Sequence, residues 1–336
     1  MNIDQIALQM LASGKGILAA DESTGTMTKR LTAVKVPSTE ENRLNFRETL
    51  FTSKTASSYI SGVILYDETL RQKSSNGTPI PELLREQNII PGIKVDAGTK
   101  SLAGSPDELI TEGLNGLRER LKEYYELGAR FTKWRAVYKI SSKFPSNAAI
   151  ISNAHSLARY AALVQEANMV PIVEPEVLMD GNHDMQKCYE VTSSVLYECF
   201  NQLKIAKVRL EGIVLKPNMI LNGSDSGIKN EAAMVAAKTL ACLKNNVPEE
   251  VPGVAFLSGG QSEVEATQNL NEINKINDSK FIFTFSYGRA LQQSALKKWA
   301  ENIQDKENVQ KVFDKRAFMN SLAATGKWDK SKEIAA

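Results

Sequence analysis

Eight short apolar segments recur along the chain, and each interval between them is long enough to hold a helix. The segments are rich in Val, Ile, Leu and Phe, which is typical of strands buried on both faces. They lie at 16–21, 62–67, 89–96, 129–137, 169–177, 212–220, 253–258 and 281–286. Eight strands alternating with helices predict an α/β fold with a parallel sheet, closed into one (β/α)₈ barrel. A doubly wound open sheet is the main alternative.

Amphipathic patterns in the intervals predict the helices. They lie at 107–128, 153–168, 184–207, 231–244 and 262–276, and two extra C-terminal helices follow at 289–303 and 306–324. We expect 76–81 and 97–106 to be exposed loops, because Gly and Pro interrupt them. No repeat or linker divides the chain, so we predict a single domain over residues 1–325 and a short flexible tail over 326–336.

Composition excludes several classes of function. With 336 residues, 42% hydrophobic residues and a net charge of +2, the chain is an ordinary globular one without a basic stretch that would capture nucleic acid. No apolar segment approaches membrane-spanning length and no secretory leader is evident, so we expect a cytoplasmic protein. The cysteines, Cys188, Cys199 and Cys242, are odd in number and scattered, which favours buried reduced thiols.

Ionisable residues interrupt the apolar segments near their C-terminal ends. They are Asp21, Lys94, Asp96, Lys133, Arg135, Glu174, Glu176 and Lys216. Active sites of parallel barrels form at this end of the strands, and residues two apart on a strand face the same side. We therefore expect these side chains to converge on one cavity. Solvated charges at strand ends, or a purely structural ion network, are the alternatives.

Several lysines and carboxylates in one cavity suit imine chemistry. An attacking lysine has to lose its proton, and burial near other cations favours that loss. Carboxylic acids then move the protons that imine formation requires. Lys216 is the best candidate nucleophile, because its segment is otherwise apolar and no charged residue follows it before Asp225. The residues alone leave Lys94 and Lys133 as alternatives.

Two glycine-containing segments predict a phosphate site. Ser258-Gly259-Gly260 follows the seventh apolar segment, and Ser286-Tyr287-Gly288-Arg289 follows the eighth. Glycines expose backbone N–H groups, arginine forms a bidentate pair with phosphate, and barrels commonly bind phosphate after strands seven and eight. The two histidines, His155 and His183, lack metal-ligand spacing, and no nucleotide-binding motif is present. We therefore predict neither metal nor cofactor.

Long motifs of the chain closely resemble class I fructose-bisphosphate aldolase. They are GILAADESTGT (16–26), PGIKVD (91–96), FTKWRAVYKI (131–140), VPIVEPEVLMDGNHD (170–184), LEGIVLKPNM (210–219), FLSGGQSEVEA (256–266) and FSYGRALQQSALKKW (285–299). The resemblance implies a metal-independent, cytoplasmic (β/α)₈ TIM-barrel lyase that assembles as a homotetramer. The implied reaction of glycolysis and gluconeogenesis cleaves fructose 1,6-bisphosphate into glycerone phosphate and glyceraldehyde 3-phosphate through a lysine Schiff base.

The same resemblance implies roles for individual residues. Lys216 is the Schiff-base lysine, Glu174 handles dehydration of the carbinolamine, and Asp21 is the base for the C4 hydroxyl. Lys133 assists proton transfer, with Glu176 and Lys94 supporting it. Residues that match the substrate-binding positions are Ser258, Gly259, Gly260, Ser286, Gly288 and Arg289 for the C1 phosphate, Ser23, Lys29, Arg30 and Lys94 for the C6 phosphate, and Arg135 beside them.

One departure concerns the tail, because animal-type relatives end in a longer segment with a terminal tyrosine. Here Trp328 is the only aromatic residue after Phe318. We expect another group of the cavity, or water, to exchange the proton at C3 of the enamine. Two rival hypotheses remain: another imine-forming enzyme of the transaldolase or deoxyribose-phosphate aldolase kind, and a scaffold that binds cytoskeletal or membrane proteins.

Overall fold

Eight parallel strands close into a barrel in the computed structural model, which describes residues 2–335. With two further strands, β4 and β5, the strands in chain order are β1 (Gly16–Ala20), β2 (Ile60–Leu65), β3 (Ile90–Lys94), β4 (Thr99–Leu102), β5 (Ser105–Thr111), β6 (Phe131–Tyr138), β7 (Val170–Val177), β8 (Val214–Leu215), β9 (Gly253–Phe256) and β10 (Ile282–Tyr287). Around the barrel their order is β1-β10-β9-β8-β7-β6-β3-β2, and β4 and β5 form a separate hairpin. The predicted barrel is confirmed, and the open-sheet alternative is wrong.

Helices surround the barrel. They are α1 (Ile3–Met10), α2 (Thr24–Ala33), α3 (Glu40–Phe51), α4 (Ala56–Tyr59), α5 (Asp67–Arg71), α6 (Ile80–Glu86), α7 (Leu117–Glu126), α8 (Asn147–Glu166), α9 (Met185–Ile205), α10 (Ala232–Asn246), α11 (Glu263–Ile276), α12 (Arg289–Glu301), α13 (Lys306–Ala324) and α14 (Lys332–Ala335), with a 3₁₀ turn at Leu210–Gly212. Side-chain caps start several of them: Ser146 precedes α8, Asp184 precedes α9, and Ser262 with Glu265 forms a capping box at α11. No helix among residues 2–335 is long and apolar enough to cross a membrane.

The barrel interior is filled by apolar side chains up to its C-terminal rim. The inward-facing set consists of Ile17, Ala19, Ile64, Phe131, Val170, Ile172, Val214 and Ala255. The ring of Phe131 occupies the space beside Gly92 and Gly62, where a Cβ atom would lie 2.2 Å and 2.9 Å from it. Helix α1 packs against the other end of this set, where the Ser61 hydroxyl donates to the Met10 carbonyl at 2.6 Å. Within residues 2–335, α1 and the apolar side chains therefore close the N-terminal end of the barrel.

The segment from residue 97 to 128 differs from its prediction. Residues 97–106, predicted as a loop, contain β4, and the helix predicted over 107–128 shrinks to α7 because residues 105–111 form β5. Long-range contacts hold β5 extended. The buried Glu108 carboxylate accepts hydrogen bonds from the Ser146 amide and hydroxyl, and the Thr111 hydroxyl donates to the Arg135 carbonyl at 2.7 Å. Partners this distant override a local helical pattern.

The C-terminal segment, predicted as a flexible tail, makes specific contacts in the structure. The Trp328 indole is buried at 5% exposure, and its backbone amide donates to Asn271 Oδ1 at 2.9 Å. The Arg316 guanidinium pairs with both Glu333 oxygens, at 2.8 and 2.7 Å, and Trp328 Nε1 donates to Glu333 at 2.9 Å. These contacts attach the segment to the outside of the barrel, an attachment that the polar sequence around Trp328 did not indicate.

Candidate active site

A cavity of about 740 Å³ lies at the C-terminal mouth of the barrel. Its wall contains all but one of the predicted site residues: Asp21, Ser23, Lys29, Arg30, Lys94, Lys133, Arg135, Glu174, Glu176, Lys216, Ser258, Gly259, Ser286, Gly288 and Arg289. The exception is Gly260, which is exposed beside Met179, where a Cβ atom would lie 2.3 Å from the sulfur. Strand periodicity explains the convergence, since Glu174 and Lys216 continue the phase of inward-facing Ile172 and Val214.

Lys133 lies at the centre of the charged layer. Its Nζ atom is 2.6 Å from Asp21 Oδ2, 3.6 Å from Glu174 Oε2 and 4.0 Å from Asp96 Oδ2. The other oxygen of Glu174 is 3.2 Å from Lys216 Nζ. Glu174 thus bridges two amines, and the side chains of Glu174 and Lys216 are each only 5% exposed. Glu174 is therefore in ionic contact with both lysines at once.

Burial and charge set opposite protonation states for Lys133 and Asp21. Burial alone would raise the pKa of Asp21, but Lys133, with help from Lys216 and Lys94, lowers it to about 2. Burial alone would lower the pKa of Lys133, but the surrounding carboxylates outweigh it and raise the pKa. Near neutral pH, Asp21 is therefore an anion and Lys133 a cation.

A second group of charges extends this layer along β3, β6 and β7. Lys94 Nζ donates to Asp96 Oδ1 at 2.5 Å and to the Asp96 carbonyl at 2.7 Å. Arg135 pairs with Glu176, and its backbone amide donates to Asp96 Oδ2 at 3.3 Å. Every carboxylate of this group has a cationic partner, so the layer is a network of alternating charges.

The loops after β9 and β10 present polar groups to the cavity. The Ser286 hydroxyl is buried and has no hydrogen-bond partner among the described residues. Gly259 has φ +27°, a backbone conformation that side chains disfavour. Arg289 is exposed at the start of α12. A free hydroxyl at the end of β10, a turn after β9 and a guanidinium at the start of α12 form a site that suits an anion.

The opposite rim is built on α2 and the loop before it. Ser23 caps α2, its hydroxyl accepting from the Thr26 amide at 3.4 Å. Lys29 is exposed one residue before Arg30, which pairs with Glu22 and lies 3.4 Å from Gln292 Oε1. Glu22 thus partly neutralises a cationic rim that would otherwise carry two free positive charges.

The histidines and cysteines lie outside the cavity. His155 on α8 contacts Gln202, and His183 is buried in the loop before α9. Burial lowers the pKa of His183, so its imidazole is neutral near neutral pH. All three cysteines are free and buried, as predicted. Among residues 2–335, no three His, Cys, Asp or Glu side chains are arranged to hold a metal ion.

The sequence prediction did not include several residues that line or support the cavity, among them Glu22, Tyr66 and Gln292. Glu22 and Tyr66 line the cavity, and Gln292 lies buried behind Glu22, where its amide donates to the Ala19 carbonyl at 2.6 Å. The sequence pattern could have predicted Tyr66, because this residue continues the alternating inward phase of Ile64. The pattern could not have predicted Gln292, because only the fold brings α12 beside β1.

Comparison with known proteins decides among enzymes with such a site. A family model described as fructose-bisphosphate aldolase class-I matches residues 2–336. The chain belongs to the class I fructose-bisphosphate aldolase family. A relative from Xylella fastidiosa, strain Temecula1, called probable fructose-bisphosphate aldolase class 1, is 51% identical and covers 98% of this chain and 99% of its own. The cytosolic fructose-bisphosphate aldolase 4 of Arabidopsis thaliana is 53% identical over 93% of this chain and 80% of its own.

A solved structure agrees with this assignment. Fructose-bisphosphate aldolase from Plasmodium falciparum, crystallised with TRAP and a small-molecule inhibitor, superposes with a TM-score of 0.96 at 46% identity, covering 97% of this chain and 95% of its own. As a class I aldolase, the chain is a lyase that reversibly cleaves fructose 1,6-bisphosphate to glycerone phosphate and glyceraldehyde 3-phosphate through a lysine Schiff base. The resemblance seen in the sequence is confirmed.

Proposed function

We propose that Lys216 is the lysine of this aldolase that forms the Schiff base. Among the described residues its Nζ atom has one carboxylate partner, Glu174 at 3.2 Å, whereas several carboxylates hold Lys133 as a cation. The Lys216 amine attacks C2 of the ketose, and the resulting carbinolamine loses water to give an iminium. Glu174, which contacts Lys216, supplies the proton that leaves with this water. The contact between Glu174 and Lys216 is the observation that carries the assignment.

Carbon–carbon cleavage follows at the centre of the cavity. Asp21 takes the proton of the C4 hydroxyl, the C3–C4 bond breaks, and its electron pair moves into the iminium to give an enamine. Lys133, 2.6 Å from Asp21, stabilises the negative charge that develops at the C4 oxygen. A proton then returns to C3, and water hydrolyses the imine to free Lys216. Glu176 and Arg135 hold the neighbouring part of the network.

The two phosphates of the substrate occupy opposite rims. The loops after β9 and β10 bind the C1 phosphate, and the rim at α2, together with β3, binds the C6 phosphate. The unpartnered Ser286 hydroxyl and exposed Arg289 support the first assignment, and exposed Lys29 supports the second. The residues proposed for C1 are Ser258, Gly259, Gly260, Ser286, Gly288 and Arg289, and those for C6 are Ser23, Lys29, Arg30 and Lys94.

We propose that residues 1–325 act as one catalytic domain in a cytoplasmic homotetramer. Relatives named cytosolic in Arabidopsis thaliana support the location. Exposed apolar side chains on α8 and α9 support subunit contacts: Ile151 is 50% exposed, Tyr197 70% and Ile205 65%.

Reductive trapping tests the assignment of Lys216. Borohydride added with glycerone phosphate is expected to leave a stable three-carbon adduct on Lys216, because reduction converts the imine into a secondary amine. Peptide mass spectrometry locates the label. An adduct on Lys94 or Lys133 contradicts the assignment, and a sample without borohydride controls for non-covalent binding.

Deleting residues 327–336 is expected to leave kcat within about twofold but to lower Tm by about 5 °C or more. No described residue of this segment lines the cavity, so the chemistry does not require it. The deletion removes the buried Trp328 indole and leaves Arg316 without Glu333, and each loss costs several kcal/mol. Calorimetry and a cleavage assay measure the two effects.

Lys330→Ala is the matched control, because Lys330 is exposed in the same segment. It is expected to leave both Tm and kcat unchanged. A tenfold fall of kcat in the folded deletion variant would mean that the segment takes part in the reaction.

A further inference from the structure

Tyr66 has a place in the cavity that neither the sequence motifs nor the proposed roles account for. It follows the last residue of β2 and continues the inward phase of Gly62 and Ile64. Gly62 faces the Phe131 ring, and Ile64 is buried among the side chains that fill the barrel. Since strand side chains alternate, Tyr66 projects into the mouth, and it lines the cavity.

The position of β2 in the barrel locates Tyr66 relative to the two phosphate rims. Leu65 pairs with Ala20 of β1 on one side and with Ile93 of β3 on the other. Strand β1 leads into the loop and helix that carry Ser23, Lys29 and Arg30, and β3 ends at Lys94. The strand that carries Tyr66 therefore lies between the two elements that hold the proposed C6-phosphate groups.

The imine lysine lies on the far side of the cavity. In the closed strand order, β8 is four strands away from β2 in either direction, so the strand end at Lys216 is diametrically opposite Tyr66. A ligand attached to Lys216 reaches Tyr66 only with its distant end. Tyr66 is therefore placed to contact the C6 end of the substrate and not the reacting carbons.

The Tyr66 hydroxyl is also available. Within residues 2–335 it makes no hydrogen bond, and the residue is half-buried. Tyr124 and Tyr287 differ in this respect, because Tyr124 donates to Asp67 at 2.8 Å and Tyr287 donates to the Ala266 carbonyl at 3.0 Å. No internal contact has to break before Tyr66 bonds to a ligand, which favours such a bond energetically.

We propose that the Tyr66 hydroxyl donates a hydrogen bond to the C6 phosphate of fructose 1,6-bisphosphate. The proposal rests on the assignment of the C6 rim above. A phosphate is a strong acceptor, and its hydrogen bonds to neutral donors are stronger than those between neutral groups. Tyr66 thereby helps the enzyme to distinguish fructose 1,6-bisphosphate from fructose 1-phosphate, which lacks the acceptor.

Tyr66→Phe tests this directly, because it removes one oxygen atom and keeps the ring. The expected result is a fall of about tenfold in kcat/KM for fructose 1,6-bisphosphate, mainly through KM, with kcat/KM for fructose 1-phosphate within about twofold. In the synthetic direction, KM for glyceraldehyde 3-phosphate is expected to rise while KM for glycerone phosphate stays constant.

Tyr59→Phe is the matched control, since Tyr59 precedes the same strand, outside the cavity. Equal losses on both ketose substrates would overturn the proposal, and so would no loss on either. Borohydride trapping of the Tyr66→Phe variant with glycerone phosphate distinguishes a failure of this proposal from a failure of the Lys216 assignment. The label is expected on Lys216 as in the wild type, and its absence in both proteins would instead contradict the assignment of Lys216.

Discussion

Lys216→Met is expected to lower kcat for fructose 1,6-bisphosphate cleavage by about 10⁴-fold or more. Methionine fills a similar volume but has no amine, so neither the imine nor the electron sink that it provides can form. The fold is expected to persist, because Glu174 keeps Lys133 as a partner at 3.6 Å after Lys216 is removed. Steady-state assays measure the loss, and circular dichroism checks that the variant is folded.

Lys94→Met is an informative comparison, because Lys94 lies in the same cavity and was an alternative nucleophile in the sequence. It is expected to weaken substrate binding while borohydride still labels Lys216. If Lys216→Met kept substantial cleavage, or if Lys94→Met alone abolished labelling, the covalent role would belong to another lysine.

Asp21→Asn is expected to lower kcat by about 10²- to 10⁴-fold while leaving imine formation intact. The amide cannot accept the C4 hydroxyl proton, but Lys216 and Glu174 are untouched. Glycerone phosphate, which has no C4, is therefore expected to be trapped normally by borohydride. A variant that neither cleaves nor traps would show that Asp21 acts before cleavage, contrary to the proposal.

The same variant reports on stability, since the pKa of Asp21 is lowered to about 2 in the folded protein. A lowered carboxyl pKa stabilises the fold above the unfolded-state pKa of about 4, and this contribution disappears as pH falls towards 2. At pH 7 we expect Asp21→Asn to lower the free energy of unfolding by roughly 2 kcal/mol. The difference from wild type should narrow below pH 4 in denaturant titrations.

Periodicity along single strands predicted much of the site. Asp21, Glu174 and Lys216 were found because each continues the inward phase of its own strand, and a closed barrel brings all such strand ends together. Tyr66 follows the same rule, but the prediction was based on charged residues at the strand ends, and Tyr66 carries no charge. For this layer of the barrel, the strand pattern predicts which charged side chains meet in the cavity, but it does not predict which lysine reacts.

Contacts between distant segments could not be predicted in this way. Glu108 holds β5 extended through Ser146, which lies 38 residues further along the chain. The attachment of Trp328 to Asn271 likewise depends on how α11 and α13 pack. Such pairs have no period in the sequence, because packing of complete elements brings them together.

Helix α1 closes one end of the barrel, so substrate, products and water enter and leave at the other end. Its residues close the end of the barrel opposite the cavity, where Ile6 is 4% exposed and Met10 is fully buried. Ketose, aldehyde and hydrolytic water therefore share the mouth between the two rims that we propose for the phosphates. In the proposed mechanism, the aldehyde is free to diffuse away while the three-carbon fragment is still bonded to Lys216. Because α1 closes the other end of the barrel, the aldehyde leaves through the same mouth by which water then reaches the proposed imine.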